Sequence, residues 1–191
     1  KKVIRKKWLV EFAKDIKNLL NQKKNVIIVS SGAIALGCKK LELNKKNLKL
    51  DKSQAVASVG QIELMNLFKK TFNSKKINLS QILLTLEDTE QRRRAINAKR
   101  TINNLFDLDF VPIVNENDSI ATSEIKYGDN DRLASRVAQI SGADCLILLS
   151  DFDGIYTKNP KIYKDALLIK EIKNIDNEIE KVASKSISVH G

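Results

Sequence analysis

Short acidic and amide side chains are concentrated in two places in this sequence. The apolar run Phe110-Val111-Pro112-Ile113-Val114 is followed directly by Asn115-Glu116-Asn117-Asp118, and Gly128-Asp129-Asn130-Asp131 comes soon afterwards. Carboxylates and amides on short side chains suit the binding of an ammonium group, a carboxylate or a hydrated metal ion at the carboxyl edge of a sheet. The two clusters therefore predict a small-molecule site. Because Asn, Asp and Gly also dominate turns, each cluster alone fits a turn equally well.

A serine-glycine segment follows an earlier apolar run. Ser30-Ser31-Gly32 lies between Val26-Ile27-Ile28-Val29 and the helix-compatible Ala33-Ile34-Ala35-Leu36. A turn of this kind that opens a helix offers backbone N–H groups, the positive end of the helix dipole and two hydroxyls, which is an anion-binding arrangement. For an isolated Ser-Gly pair, a serine N-cap without a ligand is the commoner arrangement.

A third polar group follows the apolar run Cys145-Leu146-Ile147-Leu148-Leu149. Ser150 and Asp151 come directly after it, and Asp153-Gly154 comes next. At the end of a strand, Asp151 could orient a ribose, a metal ion or a catalytic lysine, whereas Asp153-Gly154 is most simply a tight turn.

The apolar periodicity predicts helices alternating with strands. We predict helices over residues 3–22, 53–72, 88–106, 130–140 and 176–183, and strands over residues 26–29, 77–85, 110–114 and 144–150. Continuous apolar strands indicate a parallel sheet covered by helices on both faces. Binding residues in such folds collect at the carboxyl ends of the strands, where all three polar groups fall.

Composition narrows the class of protein. The 191 residues are 42% hydrophobic and 30% charged, which is typical of a folded globular chain, and we expect a single domain. No apolar run is long enough to cross a bilayer, and the basic N-terminus lacks the features of a signal peptide, so we predict a cytoplasmic protein without a membrane partner. Cys38 and Cys145 have neither metal nor disulfide spacing.

The charge and the missing motifs exclude several functions. The net charge of +11 could indicate a nucleic-acid binder, but aromatics are only 5% and the lysines are dispersed, so we expect no specific nucleic-acid partner. The positive field would still attract anionic substrates. Neither a P-loop nor a dinucleotide fingerprint is present. The single histidine, His190, stands next to the last residue, which argues against a histidine triad or zinc site.

An ordered set of motifs resembles the amino-acid kinase family over essentially the whole chain. The set comprises Ser30-Ser31-Gly32-Ala33-Ile34, Ala57-Ser58-Val59-Gly60-Gln61, Gln81-Ile82-Leu83-Leu84-Thr85, Val114-Asn115-Glu116-Asn117-Asp118, Gly128-Asp129-Asn130-Asp131 and Leu149-Ser150-Asp151. The resemblance implies an α/β fold, an open αβα sandwich with a mainly parallel central sheet. It also implies ATP-dependent phosphorylation of the γ-carboxylate of L-glutamate, the first step of proline biosynthesis.

The resemblance further implies roles for individual residues. Those at or beside the family's glutamate-binding positions are Ser31, Gly32, Asn115, Asp118 and Asn130, with Asn115 expected in the same loop as Asp118. Ser150 and Asp151 match nucleotide-binding positions. Asp131 matches the catalytic aspartate that orders two lysines around the transferring phosphoryl group, and Asp129 lines the same site. ATP and Mg²⁺ are the implied cofactors.

The family's two lysine-bearing phosphate loops have no counterpart here. One lies at the end of the family's first strand, before the position of Lys1, and the other follows the position of His190-Gly191. We therefore expect residues 1–191 to be one kinase domain truncated at both ends and inactive alone. The alternatives are another kinase of this fold, acting on acetylglutamate, aspartate or uridylate, and a non-catalytic glutamate or proline sensor. The resemblance also implies a homo-oligomer with proline as feedback inhibitor.

Overall fold

Two compact units make up the chain, Lys1–Leu146 and Ile147–Gly191. The structure, a computed structural model, describes residues 5–44, 48–120, 130–150, 153–177 and 179–180. Among these residues, no helix combines the length and the apolar content that a bilayer-spanning helix requires.

Helices separate the strands of the first unit, as the periodicity predicts. In chain order its elements are α1 (Lys6–Asn21), β1 (Ile28–Val29), α2 (Ala33–Lys40), α3 (Leu50–Asn73), β2 (Asn78–Leu84), α4 (Leu86–Glu90), α5 (Arg92–Asp107), β3 (Phe110–Glu116) and α6 (Asn130–Ser141).

The three strands form one parallel sheet in the order β1-β3-β2. Ile28 of β1 pairs with Ile113 of β3, and Leu84 of β2 pairs with Glu116. Since all three strands run the same way, their carboxyl ends lie along one edge of the sheet. The predicted parallel sheet of an α/β fold is confirmed.

Alternate residues of the strands face opposite helical layers. Val111 and Ile113 pack with buried residues of α1 and α3, namely Leu9, Ala13, Ile16, Leu64, Phe68 and Phe72. Val114 packs with Leu86 of α4, Ala98 of α5, and Leu133 and Val137 of α6. The period of two in a strand thus separates the core into two layers, and helices cover both faces.

The predicted helix over residues 88–106 is two helices. Thr85 begins α4 through a capping box, in which its hydroxyl accepts from the Asp88 N–H at 3.2 Å and the Asp88 carboxylate accepts from the Thr85 N–H at 2.8 Å. Gln91 is extended, with φ −75° and ψ 113°, and separates α4 from α5. Burial raises the pKa of Asp88, but hydrogen bonds from Thr85 and from Arg94, at 2.8 Å, outweigh burial and hold that pKa below its ordinary value.

The predicted strand over residues 144–150 is wrong. Residues 145–150 have no regular secondary structure, and the side chains of Leu146, Ile147, Leu148 and Leu149 are between 42% and 71% exposed. A buried strand requires a neighbouring strand to pair with, and in the part of the chain that is described this run has none. Apolar composition alone did not reveal that absence.

The second unit contains a short antiparallel pair, β4 (Ile155–Tyr156) and β5 (Leu168–Ile169). Helical structure of the predicted last helix starts at residue 177, directly after Asp176, whose carboxylate accepts from the Ile179 N–H at 2.9 Å. Residues 181–183 of that predicted helix lie outside the described residues.

Helices α2 and α3 lie against each other with backbone contact. An added Cβ on Gly60 of α3 would collide with the backbone oxygen of Ala33 and lie 2.5 Å from the backbone nitrogen of Gly37, both in α2. Only a residue without a side chain allows this approach. The packing fixes the start of α2, and with it the preceding serine-glycine segment, relative to α3.

We expect Gly60→Ala to destabilise the protein by about 3 kcal/mol or more, because the clash is with backbone and a rotamer change cannot relieve it. Thermal unfolding measures the loss. Asn66→Ala, an exposed change on the same helix, is the matched control and should stay within about 0.5 kcal/mol of the parent. Equal stabilities for the two variants would refute the close approach.

Candidate functional site

The polar run that was predicted to follow β3 begins inside that strand. The ladder between β2 and β3 continues through Leu83 with Asn115 and Leu84 with Glu116, so β3 ends two residues later than predicted. Asn115 therefore belongs to the central strand and not to the loop that contains Asp118. This corrects the predicted position, and it explains why Asn115 is only 2% exposed.

A buried amide network connects three elements at this edge of the sheet. The Asn115 Nδ2 donates to Gln61 Oε1 of α3 at 2.7 Å. The Asn130 Nδ2, in the first turn of α6, donates to Asn115 Oδ1 at 3.3 Å and to the backbone oxygen of Ser30 at 2.7 Å. The predicted proximity of Asn115, Asn130 and the serine-glycine segment is therefore present in the structure.

The serine-glycine segment leaves the sheet and turns into α2. The Ser30 N–H donates to the Val114 oxygen at 2.9 Å, which extends the β1–β3 ladder by one residue. Gly32 has φ 111°, a left-handed conformation that favours glycine, and it is the N-cap of α2 without any side-chain capping bond. Ser31 is exposed and does not cap the helix. The first-turn N–H groups of α2 therefore remain without a side-chain cap beside the network.

A turn carries Asp118 to the mouth of a cavity. The Asn117 N–H donates to the Leu84 oxygen at 2.9 Å, and the Ile120 N–H closes the turn on the Asn117 oxygen at 3.1 Å. The cavity, of about 160 Å³, lies between α3 and the ends of β2 and β3, and its polar lining includes Gln61, Gln81, Glu116, Asn117 and Asp118. The first polar cluster is thus both a turn and part of a pocket.

Glu116, which borders this cavity, has a buried carboxyl group. Its side chain is 6% exposed, and its Oε1 has no hydrogen-bond partner among the described residues, as is also true of the Gln61 Nε2. Burial, and to a smaller extent the negative charge of Asp118, raises the pKa of Glu116 above its ordinary value. This edge of the sheet therefore contains a carboxyl group that is harder to ionise than a surface one.

Four further residues were predicted to belong to the site. Asp131 is exposed in the first turn of α6, where a carboxylate is favoured by the helix dipole. Ser150 is exposed in the second unit. Asp129 and Asp151 lie outside the described residues, so their predicted roles stay predictions.

Sequence reasoning assigned no role to Gln61 or Glu116. Gln61 occupies the buried stripe of α3 that also contains Ala57, Gly60, Leu64 and Phe68. A glutamine at such a position is the signal that could have identified it, since buried polar groups require partners. Glu116 was visible as part of a polar run, but its burial depends on the length of β3.

We expect Glu116→Gln to stabilise the protein at neutral pH relative to the parent. The raised pKa means that Glu116 favours the folded state below its unfolded pKa, and that this contribution is lost as pH rises through the folded value. The neutral amide does not undergo that loss. Thermal unfolding from about pH 4 to about pH 8 should show the stability difference between variant and parent growing with pH. A difference that is constant across this range would contradict the assignment.

Comparison with known proteins identifies the family. A family model of the amino acid kinase family matches residues 3–189. A curated relative from Pelagibacter ubique, described as a glutamate 5-kinase, is 79% identical over 191 residues, which are 100% of this chain and 52% of the relative. Relatives with the same description from Nitrobacter hamburgensis and Bartonella henselae are 50% and 52% identical, covering 97% and 94% of this chain and 49% and 48% of their own.

The chain spans about half the length of the curated relatives it matches. The family model, by contrast, covers nearly every residue of it, including the parallel sheet, the serine-glycine segment and the amide network. On this basis, the chain belongs to the amino acid kinase family.

Proposed function

We propose that the whole protein is a glutamate 5-kinase, which transfers the γ-phosphoryl group of ATP to the γ-carboxylate of L-glutamate and so begins proline biosynthesis. The observation that carries the proposal is the hydrogen-bonded group of Asn115, Asn130 and Ser30 at the carboxyl edge of a parallel sheet. Open α/β sheets bind their ligands at that edge. The relatives that share this sequence are described as glutamate 5-kinases.

The reaction suits a site without a histidine. A carboxylate nucleophile is already ionised at neutral pH, so no general base is needed to activate it. Phosphoryl transfer requires instead that the two reactants be aligned and that the charge spreading over the transferred group be neutralised. The N–H groups in the first turn of α2, which have no side-chain cap, supply part of the positive charge that neutralises it.

Glutamate is proposed to lie between the serine-glycine segment and the cavity. Asp118, at the cavity mouth, has the charge that complements an ammonium group. Ser31, Gly32 and the first turn of α2 provide donors for a carboxylate. Asn130 lies beside the serine-glycine segment and is proposed to contact the substrate, whereas the buried Asn115 acts indirectly, by accepting from Asn130 through its Oδ1.

The nucleotide is proposed to bind as the Mg²⁺ complex of ATP, with Ser150 and Asp151 among its contacts. Asp131 is assigned to organise the phosphoryl-transfer site, and Asp129 to line it. The position of Asp131 in the first turn of α6, directly after Asn130, supports this role because it lies beside the proposed glutamate site.

The alternative functions are less well supported. Kinases acting on acetylglutamate, aspartate or uridylate share the fold, but the relatives from Pelagibacter, Nitrobacter and Bartonella are all described as glutamate 5-kinases. A non-catalytic sensor would keep the network and lack turnover. We also propose a cytoplasmic homo-oligomer that proline inhibits, by extension from the family alone.

A coupled assay on the full-length protein tests the proposal. Glutamate, ATP and Mg²⁺ should give ADP together with an acyl phosphate that hydroxylamine traps as the hydroxamate. Acetylglutamate and aspartate in place of glutamate separate the related kinases, and proline binding without ADP release would indicate a sensor.

We expect Asp118→Ala in the full-length protein to raise the KM for glutamate ten- to a hundredfold and to leave the KM for ATP nearly unchanged. Loss of a charged hydrogen-bond partner in a shielded site costs roughly 1.5–3 kcal/mol, which corresponds to that range. Steady-state kinetics measures both constants, and Asp15→Ala, on the exposed face of α1, is the matched control. Equal losses for glutamate and ATP would refute the assignment of Asp118.

We expect Asp131→Asn to lower kcat by about a hundredfold or more with a small change in the KM for glutamate, because a group that acts on the transferring phosphoryl affects the transition state more than binding. The control is Asp51→Asn, which removes an acidic residue from the first turn of α3 and so reproduces any helix-dipole effect. If both variants keep most of their turnover, Asp131 is only a helix-terminal residue.

A further inference from the structure

The amides of Gln61, Asn115 and Asn130 form a chain in which every hydrogen bond runs in one direction. Asn115 donates from Nδ2 to Gln61 Oε1 at 2.7 Å, and Asn130 donates from Nδ2 to Asn115 Oδ1 at 3.3 Å. An amide has its donor and acceptor on separate atoms. Because the Asn115 nitrogen points to Gln61, its oxygen must point to Asn130.

The chain determines which atom of Asn130 remains for a ligand. The same Nδ2 of Asn130 also donates to the Ser30 backbone oxygen at 2.7 Å. Its two hydrogens are then both used, while the Asn130 Oδ1 has no hydrogen-bond partner in the described part of the chain. At this point in the site, the polar atom offered to a ligand is an acceptor.

We infer that Gln61 is a positioning residue, which acts through Asn115 and together with the Ser30 oxygen holds Asn130 so that its Oδ1 accepts a hydrogen bond from the ammonium group of the amino-acid substrate. The inference rests on the proposed function and extends it to the recognition of the amino group. In this arrangement Asn130 and Asp118 share the ammonium, and the carboxylate of the substrate falls to the Ser31 side.

Burial is what gives Gln61 this control. Gln61 and Asn115 are 9% and 2% exposed, so water is a poor substitute for their hydrogen bonds. The Gln61 side chain also starts from a rigid backbone, because its neighbour Gly60 lies against α2. A residue at 61 without an acceptor would leave the Asn115 nitrogen unpaired and would allow Asn115 to turn over.

A reversed Asn115 would displace Asn130. It would present a nitrogen to the Asn130 nitrogen, and Asn130 could not turn over to relieve the two opposed donors, because the Ser30 backbone oxygen, 2.7 Å away, can only accept. Asn130 would move away from Asn115 instead, and its Oδ1 would no longer lie where it meets the ammonium of the substrate. Loss of that acceptor weakens binding of the ammonium but leaves other parts of the substrate unaffected.

The test uses the full-length protein with Gln61→Leu, Gln61→Glu and the control Asn66→Leu, which makes a similar amide-to-leucine change on the exposed face of α3. The measured quantities are the KM for glutamate, the KM for MgATP, the inhibition constant of glutarate and the unfolding temperature. Glutarate has both carboxylates of glutamate and lacks the amino group.

Gln61→Leu should raise the KM for glutamate about tenfold, the loss typical of one buried hydrogen bond. The KM for MgATP and the glutarate constant should change less than about twofold, since neither ligand has the ammonium group. Gln61→Glu keeps an acceptor for Asn115 and should restore the KM for glutamate to within about threefold of the parent. Asn66→Leu should match the parent throughout.

The contrary outcomes distinguish a failure of the proposed function from a failure of the inference. A parent protein that makes no acyl phosphate from glutamate refutes the proposed function. If the parent is active, three results refute the inference alone. They are a Gln61→Leu variant with an unchanged KM for glutamate, equal losses of affinity for glutamate and glutarate, and a Gln61→Glu variant that behaves like the leucine variant. If Gln61→Leu does not fold, Gln61→Met, which has nearly the shape of glutamine, is judged by the same criteria.

Discussion

The site depends on a buried amide that must find a partner for each of its polar atoms. Asn115 lies at the end of the central strand, almost completely removed from water, and its two ends bond Gln61 of α3 and Asn130 of α6. An unpaired buried polar group costs about 1–3 kcal/mol. That cost penalises any arrangement in which β3, α3 and α6 separate. One side chain therefore links the helical layers on the two faces of the sheet.

The rest of the architecture determines where that amide lies. The alternation along β3 sends Ile113 toward the layer formed by α1 and α3, so Asn115, two residues later, faces the same layer. The parallel pairing with β2 keeps the strand regular as far as Glu116. On α3, the close approach of Gly60 to α2 holds the backbone from which Gln61 extends. Packing between apolar groups thus brings Gln61 and Asn115 within hydrogen-bonding distance.

Much of this could be predicted from the sequence, because periodicity is a local property. The helices, the parallel sheet and the gathering of Asn115, Asn130 and the serine-glycine segment at one edge follow from apolar spacing and the rule for strand ends. The hydrogen bond to Gln61 could not be predicted, since it depends on the strand register and on side-chain rotamers. The strand predicted over residues 144–150 is wrong for a related reason. The composition of this segment fits a buried strand, but pairing requires a neighbouring strand that composition does not reveal.

The strand order has a consequence for how the chain acquires its structure during synthesis. β3 lies between β1 and β2, yet it is the last of the three strands to leave the ribosome. Until it emerges, β1 and β2 have no sheet partner within the described part of the chain, because Ile28 of β1 pairs with Ile113 of β3. Early folding is therefore confined to helices and to contacts such as those of α3 with α1 and α2. The nascent chain carries exposed apolar surface throughout that interval, which is when a chaperone would have the most to bind.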